Sequence, residues 1–188
     1  MLVLEWIESA RSVADFSEQL GRGLALMHQQ VTSDRCGLPC DNFVGLTKQS
    51  NQWCDDWIEF WRTRRLGYQF DLAFKNRLLD PAVRARCDRL LDRLDEVLIK
   101  PDGGTSLLHG DLWSGNYMSD DTGRPVLIDP AVYFGHPEAE FGIITLFGGF
   151  DQRFHEAYHE VLPQQDGFSA RVEIYKLYHL LNHLNLFG

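Results

Sequence analysis

Features that would mark a membrane, nucleic-acid-binding or secreted protein are scarce in this sequence. No stretch of about 18 consecutive apolar residues occurs, which argues against a membrane-spanning helix. Acidic residues outnumber basic ones by 27 to 18, and a net charge of -9 disfavours the basic surface that nucleic-acid binding needs. The first residues, MLVLEWIESARS, include an acidic residue at position 5 and no basic segment, unlike a signal peptide. We therefore predict neither a membrane nor a nucleic-acid partner.

Cysteine spacing gives no metal or disulfide framework either. The four cysteines, Cys36, Cys40, Cys54 and Cys87, lack paired C-x-x-C spacing, so a zinc site is disfavoured. Reduced thiols in a cytoplasmic protein are the simpler interpretation. With 44% hydrophobic residues, the 188-residue chain can bury a sizeable core as one large domain or one lobe.

Apolar periodicity predicts a mainly helical chain. Phe16, Leu20, Leu24 and Met27 recur at helical spacing and predict the first helix. The stretch 31–51 is rich in Gly, Asn, Ser, Thr and Asp and is predicted as a long irregular loop. The predicted helices cover 15–30, 52–79 (as two helices broken near Gly67), 81–99, 139–147, 151–161 and 170–187.

Strand-like segments are few and short. LVLEWI, residues 2–7, has the composition of a strand, although nothing before it could pair with it. SLLHG, YMSD and PVLID follow one another between 106 and 129, and the turn residues DDTGR separate the last two. YMSD and PVLID are therefore predicted to form a β-hairpin.

One polar constellation stands out within this β region. In HGDLWSGN, Asp111 and Asn116 are five residues apart, and Asp129 ends the second hairpin strand. Because a hairpin folds back on itself, these three side chains are expected to meet. Carboxylate and amide oxygens suit Mg²⁺, and the remaining carboxylate can accept a proton. The pattern H-x-D-x-x-x-x-N followed by a metal-binding Asp is typical of kinase-like phosphotransferases.

The chain as a whole resembles the fructosamine kinase (ketosamine-3-kinase) family, which is related to aminoglycoside and choline phosphotransferases. The segments that carry the resemblance are HGDLWSGN, LIDPAVYFGHPEAE, LFGGF, NFVGLTKQSNQW and YHLLNHLNLFG. The resemblance implies a protein-kinase-like C-terminal lobe (α+β), mainly α with a small β-hairpin, over 9–188. Its catalytic loop and metal-binding hairpin would lie at 106–130. Residues 1–8 would be a remnant of the hinge strand, and the N-terminal lobe would be absent.

The same resemblance assigns roles to the constellation. It implies ATP and Mg²⁺ as cofactors, Asp111 as the catalytic base toward a sugar hydroxyl, and Asn116 and Asp129 as the metal ligands. His109 would brace the catalytic loop and not act as an acid or base. Trp113, inside the loop, either shapes the acceptor site or packs. The acceptor would be a small-molecule or protein-linked ketosamine.

Further roles lie on either side of the loop. Backbone groups near Glu5, Trp6 and Ile7 would hydrogen-bond adenine at the hinge. Glu140, close after GH, is predicted as a first-turn charge that complements a helix dipole. Pro130 and Ala131 stand where protein kinases have Phe-Gly.

Two parts of a complete phosphotransferase are missing from the sequence. No Gly-rich phosphate loop occurs, and none of the four lysines lies in a V-A-I-K-like strand. We therefore expect little or no kinase activity from this chain alone, and a homodimer through the exposed hinge and cleft face. Two other readings stay open. One is a related kinase for an aminoglycoside, choline or homoserine-type acceptor, and the other is a catalytically silent binding module.

Overall fold

The computed structural model describes residues 4–188, which are mostly helical and pack around two apolar clusters. The helices are α1 (Phe16–Gln30), α2 (Trp57–Phe60), α3 (Gly67–Lys75), α4 (Arg84–Asp92), α5 (Glu140–Phe147), α6 (Gln152–Val161) and α7 (Phe168–Phe187). The strands are β1 (Thr32–Ser33), β2 (Asn42–Val44), β3 (Thr47–Gln49), β4 (Thr105–Leu108), β5 (Tyr117–Ser119), β6 (Pro125–Leu127) and β7 (Tyr133–Gly135). No helix in the described part is both long and apolar enough to cross a membrane.

Helix α1 forms where its apolar stripe predicts, and it packs closely on α6. Leu20, Gly21 and Leu24 are buried on the face that meets α6. A Cβ added at Gly21 would lie 2.2 Å from the carbonyl oxygen of Phe154, so only glycine permits this approach. Helix α1 also contacts β4, which leads into the loop that contains Asp111.

The predicted break near Gly67 is wrong. One continuous helical rod runs from Trp57 to Lys75, and its middle, Trp61–Leu66, is π-helical. Gly67 keeps helical backbone angles, and a Cβ there would lie 2.5 Å from the Arg62 carbonyl oxygen. Glycine therefore accommodates the wider π turn and does not end the helix. The rod starts at 57 and not at 52 because the Asp56 side chain caps it, accepting two backbone N–H bonds.

The predictions for 31–51 and 81–99 also need correction. The first stretch contains the hairpin β2–β3, with Asn42 opposite Gln49 and Gly45 at φ 59 in its turn. The second is not one helix, because the backbone at Arg93 leaves helical geometry (φ -107, ψ 14). A 3₁₀ turn at Pro81–Val83 leads into α4, and a second at Leu94–Glu96 follows it.

Helices α5, α6 and α7 confirm the predicted helical end of the chain to within two residues. The hairpin β5–β6 is confirmed as well, with Tyr117 opposite Leu127. Strand β7 was not predicted. It pairs with β4, which also pairs with β1, to give a three-stranded antiparallel sheet.

Residues 4–7 do not form the predicted strand, and residues 1–3 lie outside the described residues, so the hinge role of this segment stays a prediction. Residues 4–13 adopt no regular secondary structure, and no described strand pairs with them. Leu4 and Trp6 are 71% and 83% exposed. Further along, Ala10 donates its N–H to Asp120 and Val13 to Gly123, so this segment follows the turn of the β5–β6 hairpin.

Candidate active site

The loop between β4 and β5 brings Asp111 and Asn116 together. The Asn116 amide nitrogen donates to the Asp111 backbone oxygen at 2.7 Å and to its carboxylate Oδ2 at 3.2 Å. Asn116 is only 6% exposed, so its orientation is fixed by packing as well as by these bonds. With the nitrogen engaged, the amide oxygen is the atom left to bind a cation.

Asp129 lies two residues after the end of β6, and its neighbour Ile128 is hydrogen-bonded to the same loop. Ile128 donates its backbone N–H to the Asn116 carbonyl oxygen at 3.0 Å, which ties the end of the hairpin to the loop. Asp129 has φ 50, a left-handed conformation that a non-glycine residue rarely adopts. Such strain persists only where the surrounding structure holds it, and it concentrates at functional sites.

Burial perturbs the Asp111 carboxylate. The pKa of Asp111 is raised from its ordinary 3.8 to about 6, chiefly because the side chain is withdrawn from water. The hydrogen bond from Asn116 opposes this rise, whereas the negative charges of Glu140 and Asp129 add to it. A carboxylate with a pKa near neutrality suits proton transfer.

His109 joins the loop to the strand that precedes Asp129. Its Nδ1 accepts the Asp111 backbone N–H at 3.3 Å, which places the ring proton on Nε2. Nε2 lies 2.9 Å from the Ile128 carbonyl oxygen and donates to it. Both ring nitrogens are thus used in holding backbone, an arrangement that fits the expected bracing role.

Glu140 supports the loop from below, a role that the sequence did not suggest. Its two carboxylate oxygens accept the backbone N–H groups of His109 at 2.6 Å and Gly110 at 2.9 Å. Glu140 lies in the first turn of α5, as predicted, but it is only 1% exposed and also binds the loop. Burial acts to raise its pKa, but interactions with the His28 side chain and with the His109 ring and backbone N–H outweigh burial and lower it. The carboxylate therefore stays ionised beneath the loop.

The segment after Asp129 is clamped by the β2–β3 hairpin. The Gln49 side chain donates to the Ala131 carbonyl at 3.0 Å, and the Asn42 side chain donates to the Val132 carbonyl at 2.8 Å. Ala131 in turn donates its N–H to the His109 carbonyl at 2.8 Å. The loop predicted as irregular therefore supplies two of the bonds that fix the backbone beyond Asp129.

Trp113 extends from the catalytic loop toward solvent and begins a row of aromatic rings. It is 40% exposed, and its ring centroid lies 6.0 Å from that of Phe147. Phe147 lies 5.4 Å from His183, which lies 4.6 Å from Phe187. Trp113 is thus not a core residue, and the row gives the site an aromatic border.

In the described residues, the expected hinge segment does not contact the loop, and the expected metal ligands do not form a complete coordination shell. No hydrogen bond or ion pair joins residues 5–7 to the catalytic loop within the described chain. Among residues 4–188, no three His, Cys, Asp or Glu side chains lie together as a metal cluster. The candidate ligand set therefore consists of the Asn116 amide oxygen and the Asp129 carboxylate, an all-oxygen set of the kind Mg²⁺ accepts together with water and phosphate.

Comparisons with known proteins identify the family to which the chain belongs. The family model described as fructosamine kinase matches residues 1–188. The chain belongs to the fructosamine kinase family. A protein-ribulosamine 3-kinase, chloroplastic, of Oryza sativa subsp. japonica is 46% identical over the whole chain, which covers 54% of that protein. A probable ketoamine kinase of Synechocystis is 41% identical, and the chain covers all of its own length and 62% of that protein.

Solved structures support the same assignment. A putative fructosamine-3-kinase of Thermobifida fusca superposes with a TM-score of 0.89 at 32% identity, covering 98% of this chain and 63% of that one. The choline kinase LicA of Streptococcus pneumoniae gives 0.55 at 17% identity, with 97% and 58% of the two chains covered, and so shows a shared kinase-like fold only. The chain thus spans somewhat more than half of these family members.

Proposed function

We propose that this chain provides the catalytic lobe of a kinase that transfers the ATP γ-phosphoryl group to a hydroxyl of a ketosamine, free or protein-linked. The observation that carries the proposal is the hydrogen-bonded pair of Asp111 and Asn116 close to the charge of Asp129, with the Asp111 pKa raised to about 6. The ribulosamine- and ketoamine-kinase names of the relatives support the acceptor class.

Asp111 acts as the base in this scheme. With a pKa of about 6 it is mostly ionised at neutral pH, yet close enough to that pH to take a proton efficiently. The acceptor hydroxyl gives its proton to Asp111 as its oxygen attacks the γ-phosphorus in line with the departing ADP oxygen. Asn116 restrains the carboxylate, while His109 and Glu140 restrain the backbone that carries it. Catalysis of this type depends mainly on positioning and charge.

The Asn116 amide oxygen and Asp129 would hold Mg²⁺, which when bound neutralises charge on the phosphates. The left-handed backbone at Asp129, held by hydrogen bonds on both sides, sets the direction in which its side chain leaves the chain. The sugar of the acceptor would lie against Trp113, because an exposed aromatic face beside the base suits the apolar face of a sugar ring.

The proposal also covers adenine binding at the hinge, the activity of the chain alone and its oligomeric state. Backbone groups of Glu5, Trp6 and Ile7 would bind adenine once a second lobe gives this irregular segment a partner strand. The chain alone would turn over little or nothing, and the exposed Leu4 and Trp6 would favour a homodimer through this face. Sedimentation at high concentration tests the dimer, and a monomer there would contradict it.

The decisive experiment measures ATP consumption with a fructosyl-amine acceptor. Residues 1–188 alone are compared with the same residues fused behind the N-terminal segment of the rice relative. We expect turnover only from the fusion, reduced about 10²- to 10⁴-fold by Asp111→Asn. Asp121→Asn, in the exposed hairpin turn, is the matched control and should leave turnover unchanged. Undiminished turnover after Asp111→Asn would contradict the proposal.

Two further measurements separate the remaining readings. Profiling the fusion against ketosamines, aminoglycosides and choline tests the acceptor class, since the catalytic loop determines phosphoryl transfer but not the acceptor. Calorimetry of residues 1–188 with ATP, with and without Mg²⁺, tests for a silent binding module. Tight nucleotide binding without turnover in the fusion would favour that alternative.

A further inference from the structure

The backbone beyond Asp129 is held by two side-chain amides of the β2–β3 hairpin. Gln49 donates an N–H to the Ala131 carbonyl at 3.0 Å, and Asn42 donates one to the Val132 carbonyl at 2.8 Å. A carboxamide can turn either its nitrogen or its oxygen toward a neighbour, because the two ends are nearly the same size. Only the nitrogen can bond a carbonyl, so the hold on this backbone requires that both amides keep one orientation.

Gln49, Asn42 and Asn51 form an amide network that leads from these carbonyls to Arg65. Asn42 Oδ1 accepts an N–H from Asn51 at 2.7 Å and another from Gln49 at 2.9 Å. Asn51 Oδ1 in turn accepts an N–H from Arg65 Nη2 at 2.8 Å. Asn51 and Gln49 are 0% and 2% exposed, so water does not compete for these bonds. Each bond in the network therefore depends on the orientation of the amide before it.

Arg65 determines the direction of the amide network. A guanidinium carries N–H donors and no acceptor, so Asn51 has to turn its oxygen toward Arg65. The Asn51 nitrogen is then left to donate to Asn42, and the Asn42 nitrogen is left for the Val132 carbonyl. Reversing either amide would place two donors or two acceptors against each other in a buried region, which is costly. The donor-only end of the network thus fixes the orientation that its far end requires.

Neutral groups surround Arg65, which is 0% exposed. Its Cζ lies 4.5 Å from the ring centroid of Phe60 and 4.1 Å from that of Tyr133, and Nη1 donates to the Ser50 carbonyl at 2.8 Å. Tyr133 begins β7, four residues after Asp129, so the guanidinium also packs on the strand that follows this residue. A buried cation among neutral partners contributes less to stability than an apolar side chain would. Stability alone therefore does not account for an arginine at this position.

We propose that Arg65 is a positioning residue for phosphoryl transfer, which acts through the amide network on the backbone of Asp129, the candidate Mg²⁺ ligand. Arg65 itself touches neither substrate nor metal. Its N–H donors orient Asn51 and, through it, Asn42, so that the carbonyls after Asp129 stay bonded to the hairpin. The expected effect on Mg²⁺ rests on the proposed function, whereas the expected effect on the backbone does not.

Two variants break the network at different points, and each has a control beside it. Asn51→Asp still presents oxygen to the guanidinium, which neutralises the added charge, but it has no N–H left to donate onward. Arg65→Lys keeps the positive charge but lacks the planar fork that bonds two acceptors at once. Gln52→Glu, at an exposed position, controls for the added negative charge. Arg64→Lys, at a partly exposed position in the same π-helical turn, controls for the shortened cation.

Hydrogen exchange of residues 1–188, without metal or nucleotide, measures the effect on the backbone. The Ala131 N–H, which bonds the His109 carbonyl, reports the segment after Asp129, and the N–H of Leu24, buried in α1, reports global unfolding. In Asn51→Asp and Arg65→Lys, exchange at Ala131 should accelerate at least about tenfold more than exchange at Leu24. Both controls should leave the two rates within about threefold of the parent. Equal acceleration at both amides, or none at Ala131, would overturn the proposal.

The fusion described above measures the effect on Mg²⁺. At saturating ATP and acceptor, Asn51→Asp should raise the Mg²⁺ concentration for half-maximal turnover at least about tenfold, because groups that orient a metal ligand tune its affinity. Turnover at saturating Mg²⁺ should fall less than about threefold, whereas loss of the Asp111 base lowers it at every Mg²⁺ concentration. An unchanged Mg²⁺ requirement in an active fusion would overturn the positioning role and leave the proposed function standing. A fusion without turnover would contradict the proposed function, and hydrogen exchange would then decide on the network by itself.

Discussion

Replacing Asp111 with asparagine should stabilise the protein at neutral pH. The carboxylate is partly buried, and the negative charges of Glu140 and Asp129 oppose its ionisation. An amide of the same shape removes the charge and can still accept the hydrogen bond that Asn116 donates. The substitution therefore separates the energetic cost of an ionised catalytic group from the packing of its side chain.

The magnitude follows from the displaced pKa. It rises from 3.8 to about 6, and each pKa unit corresponds to about 1.4 kcal/mol. The full difference would be about 3 kcal/mol, but solvent screens a carboxylate that is still partly exposed, and we expect about 1 to 2 kcal/mol. For a chain of this length, that raises the midpoint of thermal unfolding by about 3 to 6 °C.

The raised pKa of Asp111 predicts the sign of the pH dependence of folding stability. Because the pKa is higher in the folded state, ionisation of Asp111 destabilises that state. The penalty is absent below pH about 4, grows through the interval between 3.8 and about 6, and is complete above it. Thermal unfolding of the parent and of Asp111→Asn, measured without Mg²⁺ at half-unit steps from pH 4 to pH 8, should diverge over this interval and then stay parallel.

Asp151 provides a control of opposite sign. It caps α6 by accepting the Phe154 N–H, and its pKa is lowered because this bond and those from Ser17 and Arg153 outweigh the effect of burial. Its contribution is present above the unfolded-state pKa and is lost as the pH falls, so Asp151→Asn should destabilise at neutral pH and less in acid. If Asp111→Asn gives no gain at pH 7.5, or a gain that does not vary with pH, the argument from a raised pKa is refuted.

Two further predictions concern packing and loop support. Gly21→Ala should lower the free energy of unfolding in urea by at least about 2 kcal/mol, because its Cβ would lie 2.2 Å from the Phe154 carbonyl oxygen. Gly23→Ala, on the same helix with open space around its Cβ, should raise that free energy by up to about 1 kcal/mol; equal effects would contradict the close helix contact. Glu140→Gln should cost about 2 to 4 kcal/mol in the same assay, because the charged acceptor of two loop amides is lost. Glu156→Gln, on the exposed face of α6, should stay within about 0.5 kcal/mol, and a comparably small effect at Glu140 would contradict its supporting role.

The catalytic loop could be predicted because its geometry is local. Asp111 and Asn116 are five residues apart in one turn, and the hairpin that ends near Asp129 is encoded by its own turn residues. Helix α1 was predictable for the same reason, since its apolar spacing alone indicates the buried face. Where neighbours along the chain determine the structure, the pattern of residues is enough to predict it.

The groups that hold this loop in place depend on contacts that no local pattern contains. Glu140 reaches His109 because the 3₁₀ turn at Pro137–Ala139, just before α5, packs against β4. From the sequence alone, a lone acidic residue at a helix start indicates a surface charge. The π-helical turn at Trp61–Leu66 accompanies a buried Arg65, whose guanidinium lies over the rings of Phe60 and Tyr133. Both features arise from tertiary packing, which overrides the simpler local expectation.

Asp129 depends both on a local sequence pattern and on tertiary contacts. Its place in the sequence is predictable, but its left-handed backbone is stable only because the residues on either side are held. Asn116 holds Ile128 on one side, and Gln49 holds Ala131 on the other. Gln49 belongs to the stretch that the sequence indicates as an irregular loop. The backbone conformation of a candidate metal ligand therefore depends on a hairpin that becomes recognisable only in the folded structure.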